Sequence, residues 1–272
     1  MQASSAAALS AGRSAWAEQE SKFADRGLEI AKRFFALSDS LDATARAADL
    51  LTDPGRSISD REKLADRLTA DQPYTVISDV LRVFAQQRWS HPADLIEAVI
   101  IVGVDAVISQ ARLASELDQL REEMFGVHEL LSEQRDLRIA LEDVNGASQA
   151  VRDSLVDRVF QGKISDCAMV LLKRAVADAD DRPVRIRLRE LGTQITEAGG
   201  RRLALVRAAV EPSEQQLERL KQALENKYGT PIAVSVAIDP ELVGGMRVSL
   251  GSDNFDGTIA TQMAQVKQYL AG

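Results

Sequence analysis

The stretch "FALSDSLDATARAADLLTD" (Phe35–Asp53) lies on "FGVHELLSEQRDLRIALED" (Phe125–Asp143) without a gap, matching Phe35 to Phe125, Leu41 to Leu131, Leu51 to Leu141 and Asp53 to Asp143. Two further blocks follow in the same order: "LADRL" (Leu64–Leu68) answers "LVDRV" (Leu155–Val159), and "ISD" (Ile77–Asp79) answers "ISD" (Ile164–Asp166), each offset by about ninety residues. A chain that repeats itself at such a period builds one unit twice, and this constrains the fold more tightly than any bulk property. In the first copy Phe34, Leu37 and Leu41, then Leu50 and Leu51, fall on one helical face. Pro54 and Gly55 stop that pattern, Ser57 or Ser59 can cap the next helix, and Asn145 with Gly146 makes the corresponding break in the second copy. Short breaks between amphipathic helices favour antiparallel neighbours in a bundle.

Helical spacing holds from about Lys22 to about Gly199, and after Gly199–Gly200 the period changes. "RLALVRAAV" (Arg202–Val210) is β-compatible. A helix follows, with Ser213 as N-cap, Gln216 completing a capping box, a Leu217, Leu220 and Leu224 stripe, and Gly229 with Pro231 as its stop. Ile232, Val234, Val236 and Ile238 then alternate with small or polar residues, as do Met246, Val248 and Leu250, so two strands are expected. Ile259, Met263, Val266 and Leu270 align on a last helix. The expected fold is mainly α: two consecutive helical-bundle units followed by a small α+β domain of order β-α-β-β-α. The expected divisions are residues 1–92, 93–200 and 201–272.

Composition excludes several functions. The net charge of −8 and the pI near 5.0 argue against nucleic-acid binding, which needs basic surface to displace counterions. Cys167 is the only cysteine, so no intrachain disulfide can form. The start, "MQASSAAALSAGRSAWAEQE", lacks the basic and apolar regions of a signal peptide. The run "LIEAVIIVGVDAVI" (Leu95–Ile108) carries Glu97 and Asp105 and is too short to span a bilayer, so it is expected as a buried helix of a soluble, cytoplasmic protein.

No constellation for chemistry emerges. His91 falls in a loop and His128 on a helix beside Glu129, neither with partners at metal-site spacing, so no metal is expected. Cys167 reads as a buried inert thiol. "ADADD" (Ala177–Asp181) reads as a solvated loop, and "RPVRIRLRE" (Arg182–Glu190) as a solvated basic helix face able to touch an acidic partner. Trp16, Trp89, Phe34 and Phe35 read as core or loop anchors. Gly244 and Gly245 do not make a phosphate loop: a strand follows them rather than a helix opened by Lys and Ser or Thr. Asp239, Pro240, Gly244 and Gly245 are expected to form a structural hairpin between two strands. No catalytic residue, cofactor site or specific binding residue is assigned.

Asp239, Pro240, Leu242, Val243, Gly244, Gly245, Val248, Asp256, Thr258 and Ile259, in that order, also carry a resemblance. The segment around them resembles the C-terminal signature of the F-type ATP synthase delta subunit family, whose mitochondrial relative is the oligomycin-sensitivity-conferring protein. Members are usually shorter by one helical unit; the excess lies at this N-terminus, as in long actinobacterial forms, and Pro212 stands where the family tends to be apolar. The resemblance implies a non-catalytic stator subunit of the peripheral stalk, one copy per complex, without cofactor, metal or direct membrane insertion. It implies that the helical domain binds the N-terminal helices of the alpha subunit, that the C-terminal domain meets the b subunit, and a peripheral place on the cytoplasmic face of the cell membrane. The alternative is a soluble helical adaptor or regulator of an unidentified protein partner.

Overall fold

The computed structural model describes residues 1–180, 182–200, 202–228, 231–239, 242, 244–250 and 253–256. Twelve helices come first: α1 Ala3–Ala17, α2 Glu20–Phe23, α3 Gly27–Ala43, α4 Ala45–Thr52, α5 Ile58–Leu68, α6 Thr75–Gln86, α7 Pro92–Leu113, α8 Leu117–Glu133, α9 Arg135–Glu142, α10 Gln149–Phe160, α11 Asp166–Ala177 and α12 Val184–Ala198. Then come β1 Arg202–Ala208, α13 Glu214–Tyr228, β2 Ile232–Ile238, β3 Met246–Leu250 and β4 Asp253–Asp256. Two compact units divide the chain, Met1–Leu191 and Gly192–Gly272.

The duplication is structural. α3, α4, α5 and α6 recur as α8, α9, α10 and α11, and Leu41 with Leu131, then Leu51 with Leu141, are buried at matching places. The side chains repeat too. Arg61 of α5 is buried and donates through Nη1 to the Gln87 carbonyl at 2.9 Å; Arg152 of α10 is buried and donates to the Val176 carbonyl at 3.1 Å. Each guanidinium thus satisfies a carbonyl at the C-terminal end of the helix that follows it, where unpaired acceptors collect. Asp66 pairs with Arg82 at 2.7 Å as Asp157 pairs with Lys173 at 2.7 Å. The "ISD" match fails in register: Ile77–Asp79 lies within α6, whereas Ser165 is the N-cap of α11.

α7 belongs to both copies, following α6 as the last helix of the first and preceding α8 in the second. From Leu95 to Ala111 it is buried nearly all round, as an apolar helix at the centre of a unit should be. α3 packs along it at close range. A Cβ on Gly103 would stand 2.6 Å from the Phe35 ring, and one on Gly27 only 2.1 Å from the Ala106 carbonyl oxygen. Burying Phe34, Ile30 and Leu41 of α3 and Ile108 of α7 is worth about 1.5–3 kcal/mol for each side chain. α1, which the Ala-rich N-terminal sequence does not announce, is tied to α7 by Arg13 on Asp105 (2.8 Å) and by the Trp16 indole on Ser109 (3.2 Å). Ser57 caps α5 as expected.

In the second unit the sheet has the order β2-β1-β3-β4, with β2 parallel to β1 and the other pairs antiparallel. Ala204, Val206, Ile232, Val248 and Leu250 form the core with Leu224 of α13. The expected capping box is present, Gln216 N–H to Ser213 Oγ at 3.3 Å and Ser213 N–H to Gln216 Oε1 at 2.9 Å. Two differences from the expected order appear. A fourth strand, β4, pairs with β3, where only a punctuated approach to a helix was expected. The glycine segment is not a hairpin either, because β2 and β3 both pair with β1 and not with each other. Gly244 and Gly245 do have positive φ, 126° and 81°, in the region that favours glycine. Hydrogen bonds from Asp239 N–H to the Ala208 carbonyl (2.9 Å) and from Ala209 N–H to the Gly245 carbonyl (3.3 Å) pin the connection to the end of β1. Pro240 and the last helix expected around Ile259–Leu270 lie outside the described residues.

Candidate partner-binding surface

Among the described residues no three His, Cys, Asp or Glu side chains converge as a metal site would require. His91 precedes α7 in the loop, and His128 lies on α8. Cys167 is buried on α11, and burial, then the carboxylates of Glu116, Asp166 and Glu123, push its thiol up to about 11. A thiol held protonated in this way is no nucleophile at neutral pH. Trp16, Phe34 and Phe35 are buried, and Trp89 donates to the Phe84 carbonyl at 2.9 Å, so the aromatic residues serve as core and anchors.

A largely buried ion cluster lies where α3, α7, α11 and α12 meet. Asp178, in the turn after α11, receives Arg174 on one oxygen and Arg187 on the other at 3.0 Å, and all three side chains are 7–8% exposed. Arg187 continues to Glu97 of α7 at 2.6 Å and Glu190 at 3.3 Å; Arg174 continues to Asp39 of α3 at 2.6 Å and stacks over the Phe35 ring. Burial alone pulls both guanidiniums down. Their hydrogen bonds and charges more than offset it, Asp178 and Asp39 acting on Arg174 and Glu97 and Asp178 on Arg187, so both are held above the ordinary arginine value. The expectation that Ala177–Asp181 is a solvated loop is therefore wrong at Asp178, and the expectation of a solvated basic face is wrong at Arg187. Acidic and basic side chains read as exposed until their partners are known, and Glu97 lies 90 residues from Arg187. Every charge in the cluster is paired within the chain, so it fixes helices rather than receiving a ligand.

Two features face outward. A cavity of about 180 Å3 beside α3 is lined by Leu37, Ser40, Leu41, Thr44, Ala47 and Leu68 among others. α12 is more extended: Val184, Arg187 and Leu188 turn inward, while Arg185, Ile186 and Arg189 are exposed, as is Arg182 just before the helix. No described helix is long and apolar enough to cross a membrane.

This chain, a helical repeat followed by a small mixed sheet, is matched by a family model, "ATP synthase delta (OSCP) subunit", over residues 104–270. The chain belongs to this family. ATP synthase subunit delta of Beutenbergia cavernae is 31% identical over 272 residues, 100% of both chains. That of Thermobifida fusca is 35% identical over 226 residues, 82% of each chain. A chain of the Toxoplasma gondii mitochondrial ATP synthase hexamer has a TM-score of 0.41 at 14% identity, covering 62% of this chain and 95% of that one, too low a score to carry weight. As a member of the delta (OSCP) family the chain is a non-catalytic stator subunit of the peripheral stalk. Its helices before residue 104 fall outside the family model yet align along the full length of the Beutenbergia relative, so the long form is shared.

Proposed function

We propose that the chain joins the catalytic head of a proton-translocating ATP synthase to its b subunit, one copy per complex, at the cytoplasmic face of the cell membrane. The helices of residues 93–200 receive N-terminal helices of the alpha subunit, and residues 201–272 meet b. Residues 1–92 brace the shared helix α7. The observation that carries this reading is the extent of the family match, which includes most of the second helical copy and the sheet unit together. An amphipathic helix docking by i, i+3 and i+4 anchors suits a bundle surface. A stator transmits torque and needs large, slowly dissociating contacts rather than one strong residue.

Purification of a tagged copy from gently solubilised host membranes tests this. The expected result is recovery of alpha, beta and b at fixed stoichiometry. Recovery of the chain without any of them, from membranes whose ATP synthase stays intact, would remove the proposal.

A further inference from the structure

α12 divides its residues between two faces. Val184, Arg187 and Leu188 are buried, and the positions between them leave Arg185, Ile186 and Arg189 on the outside, Arg189 one turn after Arg185; Arg182, just before the helix, is exposed as well. Glu190 neutralises Arg182 at 2.9 Å. Arg185 reaches only the Ser132 hydroxyl of α8, at 3.5 Å, and no carboxylate pairs with it among the described residues. One turn away along each helix, Arg189 and Arg185 both act on His128 of α8, opposed by Glu129; burial first, then the two arginines, lower that imidazole's affinity for a proton. The seam of α8 and α12 is thus a cationic strip on a chain of net charge −8.

Apolar surface borders the strip. Ile186 is 39% exposed within it. Ile139 of α9, 50% exposed, lies one turn before Glu142, whose carboxylate accepts the Val184 N–H at 2.9 Å and so ties the end of α9 to the start of α12. A cationic strip with an apolar neighbour fits a segment that has carboxylates flanking an apolar side chain. The remaining acidic surface repels such a segment and steers it here.

We propose that the outward face of α12, with Arg185 and Arg189 beside Ile186, docks an acidic amphipathic segment of a partner protein within the ATP synthase. The proposal rests on the stalk reading above.

Membranes stripped of this chain, with the rest of the ATP synthase retained, provide the assay. Purified full-length chain is added back and ATP-driven proton pumping is titrated at about 0.05 M and about 0.3 M salt. The variants are Arg185→Glu, the double Arg185→Glu with Arg189→Glu, and the double lysine replacement. The double glutamate variant should need about tenfold more protein for half-restoration at low salt, with the gap narrowing at high salt, and lysine should restore most of the loss. Both arginines are exposed, so thermal midpoints should match wild type. Arg185→Glu alone serves if the double variant melts early. Equal half-restoration for wild type and glutamate variants, with equal salt dependence, would overturn the docking surface and leave the stalk reading standing. Failure of the wild-type chain to restore pumping would overturn the stalk reading, and the docking surface with it.

Discussion

Replacing Asp178 by Asn removes the one charge that two buried guanidiniums share. Deleting one partner of a buried ion pair costs about 3–5 kcal/mol, because the other charge stays buried without compensation. The loss at Asp178 belongs at the lower end. Arg187 keeps Glu97 at 2.6 Å and Arg174 keeps Asp39 at 2.6 Å, and the amide oxygen of Asn can still accept one hydrogen bond. At about 2–4 °C for each kcal/mol in a unit of this size, a loss of about 3 kcal/mol lowers the melting midpoint by roughly 6–12 °C. Asp39 supplies the contrast. Its side chain is 61% exposed, so Asp39→Asn should cost less than about 1 kcal/mol although its 2.6 Å ion pair matches that of Arg187 with Glu97. Far-ultraviolet circular dichroism follows both melts, since helices dominate the signal. An Asp178→Asn midpoint within about 2 °C of wild type, or an Asp39→Asn loss as large, would refute the assignment of the energy to burial.

Two further outcomes follow from the same structure. Gly245 has φ of 81°, so Gly245→Val forces a β-branched residue into the left-handed region at a cost of about 1–3 kcal/mol; limited proteolysis should cut the C-terminal unit first, with stalk assembly reduced and ATP hydrolysis by the isolated head unchanged. The Cys167 thiol is raised by burial from 9.0 to about 11, so the stability it contributes is full below about pH 9 and is lost as pH rises towards 11. Urea midpoints measured at about pH 8 and about pH 10.5 should therefore fall more for wild type than for Cys167→Ala, and equal falls would contradict that linkage.

Local signals were readable from the chain, and pairings at a distance were not. The spacing of Leu41, Leu51, Leu131 and Leu141 identified duplicated helices because period and burial coincide there. Ser57, Ser213 and Gln216 identified helix starts because capping is a contact over three residues. α1 is silent: of its buried face, Ser5, Ala8 and Gly12 are too small to carry an apolar period, and Trp16 stands alone at its end. Alternation marks β2 and β3 as strands but says nothing of which neighbour each takes, and β1 lies between them where a hairpin is expected. The basic run Arg182–Glu190 was visible as a whole, whereas its division into a buried Arg187 and an exposed Arg185 depends on Glu97 and Asp178.

As a stator subunit, this chain holds the head to the stalk and performs no chemistry. The most direct measurement compares ATP hydrolysis and ATP-driven proton pumping in host membranes with and without the chain. Removal should abolish pumping while the head still hydrolyses ATP at its usual turnover, and the added chain should restore pumping alone. Loss of hydrolysis from the intact head on removal, or pumping that persists without the chain, would contradict this role.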